Sequence, residues 1–251
     1  MRRTTLIATL ASTFVVFAST LAIGASDSAA QSAPTPYPAK AEDWPGKGVV
    51  RTFGWMTQNR DYFWTERAKK QGAIVFAGDS LTGNWKTLGA DFKGTLVANR
   101  GIGGDVSRGL LFRFQEDVLD LHPKAIVLLI GINDLTARQP ANDTLANVRA
   151  MLALKDKEQA QVPVFLCTVP PSANPKAPVD EAQRRQLNQG LRQLAKDSKG
   201  VTLIDLYEAT VTAHGTPELR YFNEDQLHLS ADGRTRWKEV LQPAMQRAGV
   251  L

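Results

Sequence analysis

The stretch "VFAGDSLTGNW", from Val75 to Trp85, carries an apolar run into a turn that holds Gly78, Asp79 and Ser80. A short run of apolar and β-branched residues followed at once by glycine and polar residues is typical of a buried strand that ends at a turn. If a helix begins at this turn, its first backbone N–H groups are free beside the serine hydroxyl. Ser80 is therefore either a helix cap or a nucleophile.

The same alternation of short apolar runs and longer helical periods continues along the chain. The runs are residues 73–77, 95–99, 125–130, 162–169 and 201–206. Strands that alternate with helices predict a parallel sheet with right-handed crossovers and helices on both faces. We therefore expect an α/β fold, a three-layer α/β/α sandwich around a five-stranded parallel sheet.

Two further expectations concern helices. The segment 49–71 combines aromatic and polar residues and predicts a helix whose aromatic face packs on the main body as core. A last helix carries Trp237, Val240 and Leu241 on one side, and Pro243 is expected to kink or end it.

Residues 1–30 have the layout of a secretory signal peptide. Arg2 and Arg3 precede an apolar run, and Ala29 and Ala30 supply small residues at a cleavage site. The alternative is an uncleaved membrane anchor, because the apolar run approaches the length that spans a bilayer. We expect a secreted or periplasmic protein with no stable membrane insertion once the signal is removed.

The rest of the chain divides into two parts. Residues 31–48 hold four prolines and two glycines, which predicts an arm or linker. Residues 49–251 are long enough for a single domain with one core. The sequence does not assign an oligomeric state.

Charge and composition exclude several classes of protein. The net charge is +5, and the basic residues are scattered rather than gathered into a stripe, so nucleic acid is not an expected partner. The only cysteine, Cys167, lies in an apolar run, which favours a core residue and excludes a disulfide within the chain.

Cofactor motifs are also missing from the sequence. The stretch "GIGGD", residues 101–105, falls short of the dinucleotide fingerprint because position 106 is Val106 rather than glycine. His122, His214 and His228 are far apart and show no metal-ligand spacing. We expect neither a cofactor nor a metal.

Polar residues that follow the predicted strands supply the parts of an acyl-transfer site. Ser80 follows the first strand, and His228 lies three residues after Asp225 in the loop that follows the last strand. A hydroxyl nucleophile, an imidazole base and a carboxylate that orients the base suffice for nucleophilic catalysis. Each residue alone also has a structural explanation, as a helix cap or a loop pair.

The combination is more specific than its members. The blocks are "GDSL" at 78–81, "NRGIGGD" at 99–105, "GIND" at 131–134 and "DQLH" at 225–228. This arrangement resembles the SGNH hydrolases, the GDSL esterase and lipase family, and most of all its branch of platelet-activating-factor acetylhydrolase subunits and exported bacterial acetylesterases. The resemblance covers roughly residues 72–242 and implies a flavodoxin-like fold.

The resemblance also implies a role for each site residue. Ser80 would attack an ester carbonyl, His228 would take its proton, and Asp225 would orient the imidazole. The oxyanion hole would consist of the backbone N–H groups of Ser80 and Gly104 and the side-chain amide of Asn133. Glycine at 104 lets the backbone approach a substrate closely, and a neutral amide at 133 donates without proton exchange.

The expected substrate is a small-molecule or carbohydrate ester with a short acyl group, first of all an O-acetyl group on a sugar. The loops at 82–90, 134–144 and 170–180 are polar or proline-rich and hold no long apolar lid. Trp85 is expected to pack the first helix rather than stack on a sugar. A lysophospholipase or lipase and a non-catalytic carbohydrate-binding module are the alternatives, and transfer of the acyl group to another sugar stays open.

Overall fold

The structure, a computed structural model, describes Met1 and residues 32–251. The predicted signal peptide therefore lies outside the described residues, apart from Met1. Residues Ala33–Leu251 form one compact unit. Within the described residues, no helix is both long and apolar enough to cross a membrane.

Five parallel strands form one sheet, as the sequence predicts. They are β1 (Ile74–Gly78), β2 (Val97–Gly101), β3 (Ala125–Leu129), β4 (Val164–Cys167) and β5 (Val201–Ile204). Their order in the sheet is β2-β1-β3-β4-β5, the flavodoxin-like order. The strand bounds differ from the predicted ones by two residues or fewer, and the fold class is confirmed.

Helices precede the first strand, fill the connections between the strands and follow the last strand. They are α1 (Gly54–Glu66), α2 (Ser80–Gly83), α3 (Leu88–Asp91), α4 (Ser107–Asp117), α5 (Ile132–Thr136), α6 (Ala141–Gln159), α7 (Glu181–Asp197), α8 (Leu206–Ala209) and α9 (Ala231–Arg247). Right-handed crossovers that run in opposite directions along a sheet place their helices on opposite faces. The step from β1 to β2 therefore puts α2 and α3 on one face, whereas the later steps put α4, α6 and α7 on the other.

The strand order also determines where a site forms. The connections after β1 and β3 leave in opposite directions, so a crevice opens between the carboxyl ends of these two neighbouring strands. Ser80 begins α2 directly after β1, and Asn133 lies at the start of α5 after β3. The sequence thus brings both residues to the same crevice.

The described residues of the predicted arm pack against α4. The guanidinium of Arg108 donates hydrogen bonds to the backbone carbonyls of Ala41, Trp44, Pro45 and Gly48. The Trp44 ring is buried and lies 5.2 Å from the Tyr37 ring and 5.1 Å from the Phe112 ring. One arginine thus binds four carbonyls of a segment that has little regular secondary structure.

The prediction that the aromatic residues of segment 49–71 pack as core is correct for only some of them. Phe63 is buried, but Phe53 is 40% exposed, Trp55 49% and Tyr62 61%. The segment holds more aromatic residues than one face of a short helix can bury. The exposed rings of Phe53 and Trp55 lie at the start of α1, next to the loop that follows β2.

Pro243 was expected to kink or end the last helix, and the second of these alternatives is wrong. Helix α9 continues past it to Arg247. Proline removes one backbone hydrogen bond from the helix interior. Leu241, Ala244 and Met245 are buried on either side of it, and this packing holds the last turns in helical form.

A fully buried arginine ties the sheet to the loop that follows β2. Arg113 on α4 donates from Nε to Asp105 Oδ2 at 2.8 Å, from Nη1 to Asp117 Oδ2 at 3.2 Å and from Nη2 to the Gly78 carbonyl at 3.0 Å. Its side chain has no exposed area. The end of β1 and the segment that contains Gly104 are therefore held by one cation.

Replacement of this cation is expected to destabilise the fold. In Arg113→Met the carboxylates of Asp105 and Asp117 stay buried without their main partner, and loss of one member of a buried ion pair costs about 3 to 5 kcal/mol. Urea unfolding at neutral pH should show this loss. Lys157→Met is the control, because Lys157 is 76% exposed in its pair with Glu158 and its loss should cost under about 1 kcal/mol. Equal stability of the two variants would contradict the prediction.

Candidate active site

Ser80 and His228 are in hydrogen-bond contact although they lie far apart in the sequence. The His228 Nε2 atom is 2.9 Å from the Ser80 Oγ atom. Ser80 is the first residue of α2, and His228 lies in the loop between Phe222 and Leu229, which are joined by an antiparallel bridge. Both side chains are partly exposed, so a substrate has access to the pair.

Asp225 joins the pair from the other side of the imidazole. Its Oδ2 atom is 2.5 Å from His228 Nδ1, while Oδ1 accepts the backbone N–H groups of Leu227 and His228 at 3.0 Å each. Partial burial alone raises the pKa of Asp225, but the hydrogen bonds from His228 and Leu227 outweigh it and lower the pKa. The carboxylate is therefore ionised at neutral pH, and it both shapes the loop and orients the ring.

Gly104 and Asn133 lie after β2 and β3, in the two segments predicted to supply hydrogen-bond donors. Gly104 has φ +83°, a left-handed conformation that favours glycine, and its N–H makes no hydrogen bond with any described residue. Asn133 Nδ2 donates to the Asp105 carbonyl at 3.0 Å. An amide nitrogen carries two hydrogens, so the second one stays available to a substrate.

Two buried aspartates, to which the sequence analysis assigned no role, hold these loops. Asp134 accepts hydrogen bonds from the Ser107 backbone N–H at 3.0 Å and from Gln139 Nε2 at 2.9 Å, which fixes the residue next to Asn133. Asp105 accepts from Arg113 and follows Gly104 directly. In the sequence, only their position next to Asn133 and Gly104 could have pointed to these aspartates. That position does not indicate that a carboxylate is buried.

Asp79 is fully buried next to Ser80. Its Oδ1 atom accepts the Leu81 N–H at 2.9 Å as the N-cap of α2, and Oδ2 has no hydrogen-bond partner among the described residues. Burial, opposed by the bond from Leu81 and reinforced by the nearby carboxyls of Asp105 and Asp134, raises the pKa of Asp79 to about 8. The neutral acid is therefore the main form at pH 7.

The remaining candidates lie away from this cluster. Cys167 is buried, and burial raises the pKa of its thiol well above the ordinary value, as expected for an inert core residue. Trp85 is 1% exposed and packs on the Trp237 ring at 5.1 Å, which confirms its predicted packing role. Among residues 32–251, no three or more His, Cys, Asp or Glu side chains are grouped to hold a metal ion.

Together these contacts define a class of protein. A parallel α/β sandwich holds a serine, a histidine and a carboxylate in one hydrogen-bonded chain, and the neighbouring strands end in segments that carry backbone and amide N–H donors. This arrangement is typical of serine hydrolases.

Comparison with known proteins identifies the family. The profile of the GDSL-like Lipase/Acylhydrolase family matches residues 64–236, and the chain belongs to this family. Relatives include the platelet-activating factor acetylhydrolase IB subunit alpha2 of Rattus norvegicus and of Homo sapiens. Each is 28% identical over 213 residues, which cover 80% of this chain and 86% of the relative.

Solved structures agree with this assignment. A GDSL-like lipase from Bacteroides thetaiotaomicron is 27% identical, with a TM-score of 0.67, and the match covers 74% of this chain and 97% of that one. A lipase/acylhydrolase from Enterococcus faecalis has the same fold at 20% identity and a TM-score of 0.56, over 70% of this chain and 96% of that one. The protein is an ester-hydrolysing enzyme with the SGNH hydrolase fold.

Asp79→Asn is expected to flatten the pH dependence of stability. Since the pKa of Asp79 is higher in the folded state than the ordinary aspartate value, the folded state binds more protons between about pH 4 and pH 8, and stability falls as the pH rises through this range. Asparagine resembles the neutral acid in shape, caps a helix equally well and does not titrate.

Urea unfolding at pH 5 and pH 8 measures this effect. The wild type should lose more unfolding free energy between the two values than Asp79→Asn. Asp61→Asn, on the outer surface of α1, is the control and should follow the wild type. An Asp79→Asn variant with the wild-type loss would show that Asp79 is ionised in the fold.

Proposed function

We propose that this enzyme is an exported serine esterase that removes short acyl groups, first of all O-acetyl groups on carbohydrates, through an acyl-enzyme. The observation that carries the mechanism is the continuous hydrogen-bond chain from Ser80 through His228 to Asp225, with distances of 2.9 and 2.5 Å. Export is proposed from the signal-like residues 1–30 of the sequence.

In the proposed first half-reaction, Ser80 Oγ attacks the ester carbonyl carbon and His228 Nε2 takes the hydroxyl proton. Asp225 accepts a hydrogen bond from Nδ1–H, keeps Nε2 as the acceptor in the resting enzyme and stabilises the imidazolium that forms. His228 then gives the proton to the leaving alcohol, and the acyl group stays on Ser80. In the second half, water attacks the acyl-enzyme by the same route and releases the acid.

Three N–H donors are proposed to stabilise the negative oxygen of each tetrahedral intermediate. The Ser80 N–H is at the first position of α2, where helix geometry leaves it without an intrahelical partner. The Gly104 N–H and the second hydrogen of Asn133 Nδ2 complete the set. Donors held in place before the reaction stabilise developing charge with little reorganisation, which makes them a large contribution to catalysis.

Two observations favour a short acyl group on a sugar. The relatives with 28% identity are named as acetylhydrolases, which supports an acetyl group. The Phe53 and Trp55 rings stack with centroids 4.4 Å apart and are both partly exposed beside Gly104. Exposed aromatic rings offer a flat apolar surface that suits a ring-shaped leaving group.

The oxyanion assignment predicts the effect of Asn133→Ala. Loss of one such donor lowers kcat by about 10² to 10³ while the fold is retained. Steady-state hydrolysis of p-nitrophenyl acetate measures the loss, with Ser80→Ala as the nearly inactive reference. Asn142→Ala, at an exposed position of α6, is the control and should keep the wild-type rate. Wild-type turnover by Asn133→Ala would remove Asn133 from the oxyanion hole.

The substrate proposal is tested with two panels, p-nitrophenyl esters of increasing chain length and acetylated oligosaccharides. The highest kcat/KM should fall on the acetyl ester and decrease as the chain lengthens, and acetate should be released from the oligosaccharides. An increase of kcat/KM with chain length, without acetate release from sugars, would favour the lysophospholipase or lipase alternative.

A further inference from the structure

Trp55 is bonded to the peptide unit that carries the Gly104 N–H. The Trp55 Nε1–H donates to the Gly103 carbonyl oxygen at 2.9 Å. That carbonyl and the Gly104 N–H belong to the same peptide, which is trans, so the two groups point in opposite directions. The bond to the indole therefore directs the Gly104 N–H away from Trp55.

This peptide lies beside the nucleophile. A Cβ atom built on Gly103 would be 3.9 Å from the Ser80 Cβ atom. A Cβ atom on Gly104 would instead meet Phe53 Cε2 at 3.3 Å and Met56 Cε at 3.4 Å. The two glycines thus lie between Ser80 on one side and the start of α1 on the other.

Two consecutive glycines have little intrinsic preference for one orientation of the peptide between them. In the opposite orientation the Gly103 carbonyl would replace the Gly104 N–H beside the substrate, and a carbonyl oxygen repels a developing oxyanion. An external hydrogen bond that holds the carbonyl is therefore significant for the site. Trp55 makes that bond from a ring that stacks on Phe53 with an interplanar angle of 14°.

We propose that Trp55 is a positioning residue of the oxyanion hole, which acts on the reaction by holding the Gly103 carbonyl so that the Gly104 N–H faces the substrate. Trp55 is 49% exposed and is not needed to fill the core, so this bond to Gly103 accounts for its place in the site. The inference rests on the proposed role of Gly104 as an oxyanion donor.

The test is Trp55→Phe, which keeps an aromatic ring against Phe53 and removes the N–H donor. With p-nitrophenyl acetate, which carries no sugar, kcat should fall about tenfold, less than the loss of a whole donor, while KM stays within about twofold. A trifluoromethyl ketone, which forms a tetrahedral oxyanion on a serine, should lose affinity by the same factor as kcat.

Trp64→Phe is the matched control because it makes the same change on the same helix. The Trp64 ring packs against the Arg67 guanidinium at 3.7 Å and has no bond to the site loop. Its kcat, KM and ketone affinity should equal those of the wild type. Trp55→Leu, which removes the stacking as well as the donor, should lose at least as much kcat as Trp55→Phe.

The outcomes separate this inference from the proposed function. If Trp55→Phe matches Trp64→Phe in kcat and ketone affinity, the positioning role is overturned while the esterase mechanism stands. If kcat is kept in Trp55→Phe and lost only in Trp55→Leu, the stacking rather than the hydrogen bond matters, which also overturns it. An inactive wild type would instead contradict the proposed function itself.

Discussion

The site depends on the hydrogen bonds that the buried guanidinium of Arg113 donates. The guanidinium binds the Gly78 carbonyl at the end of β1 and the Asp105 carboxylate just after Gly104. The turn that holds Ser80 and the loop that holds Gly104 are therefore bonded to the same side chain. Asn133 is linked to the same loop, because its side-chain amide donates to the Asp105 carbonyl. Burial makes the contacts of Arg113 strong and makes the loss of this cation costly.

The two sides of the site are supported differently. Ser80, Gly104 and Asn133 follow neighbouring strands and are fixed by buried charges, whereas His228 and Asp225 belong to one loop that is shaped largely by the Asp225 carboxylate itself. Rigid donors and a more exposed base suit a reaction in which charge develops at a fixed point while a proton moves.

Local pattern was enough to predict the sheet and to select residues for the candidate site. Short apolar runs give buried parallel strands whatever their partners are, and the residues after each strand must meet at one edge. That rule selects Ser80, Asp225 and His228 as candidates, and the resemblance of the ordered motifs to the family adds Gly104 and Asn133. Their contacts in the structure agree with this placement.

Contacts between distant side chains were not predictable in the same way. Composition places Trp55 in a core, yet its ring is half exposed and bonds to Gly103 48 residues away. Arginine is mostly a surface residue, but Arg113 is fully buried because Asp105 and Gly78, from outside its helix, bind its guanidinium together with Asp117. Pro243 has the pattern of a helix end, and packing on both sides overrides it.

The most direct test of the central claim is to map the covalent adduct formed with a serine-directed phosphonate. Peptide mass spectrometry of the labelled enzyme should place the phosphonate on Ser80 alone, and His228→Ala should label far more slowly because the hydroxyl has lost its base. An adduct on another residue, or full ester turnover with Ser80 unlabelled, would contradict the account.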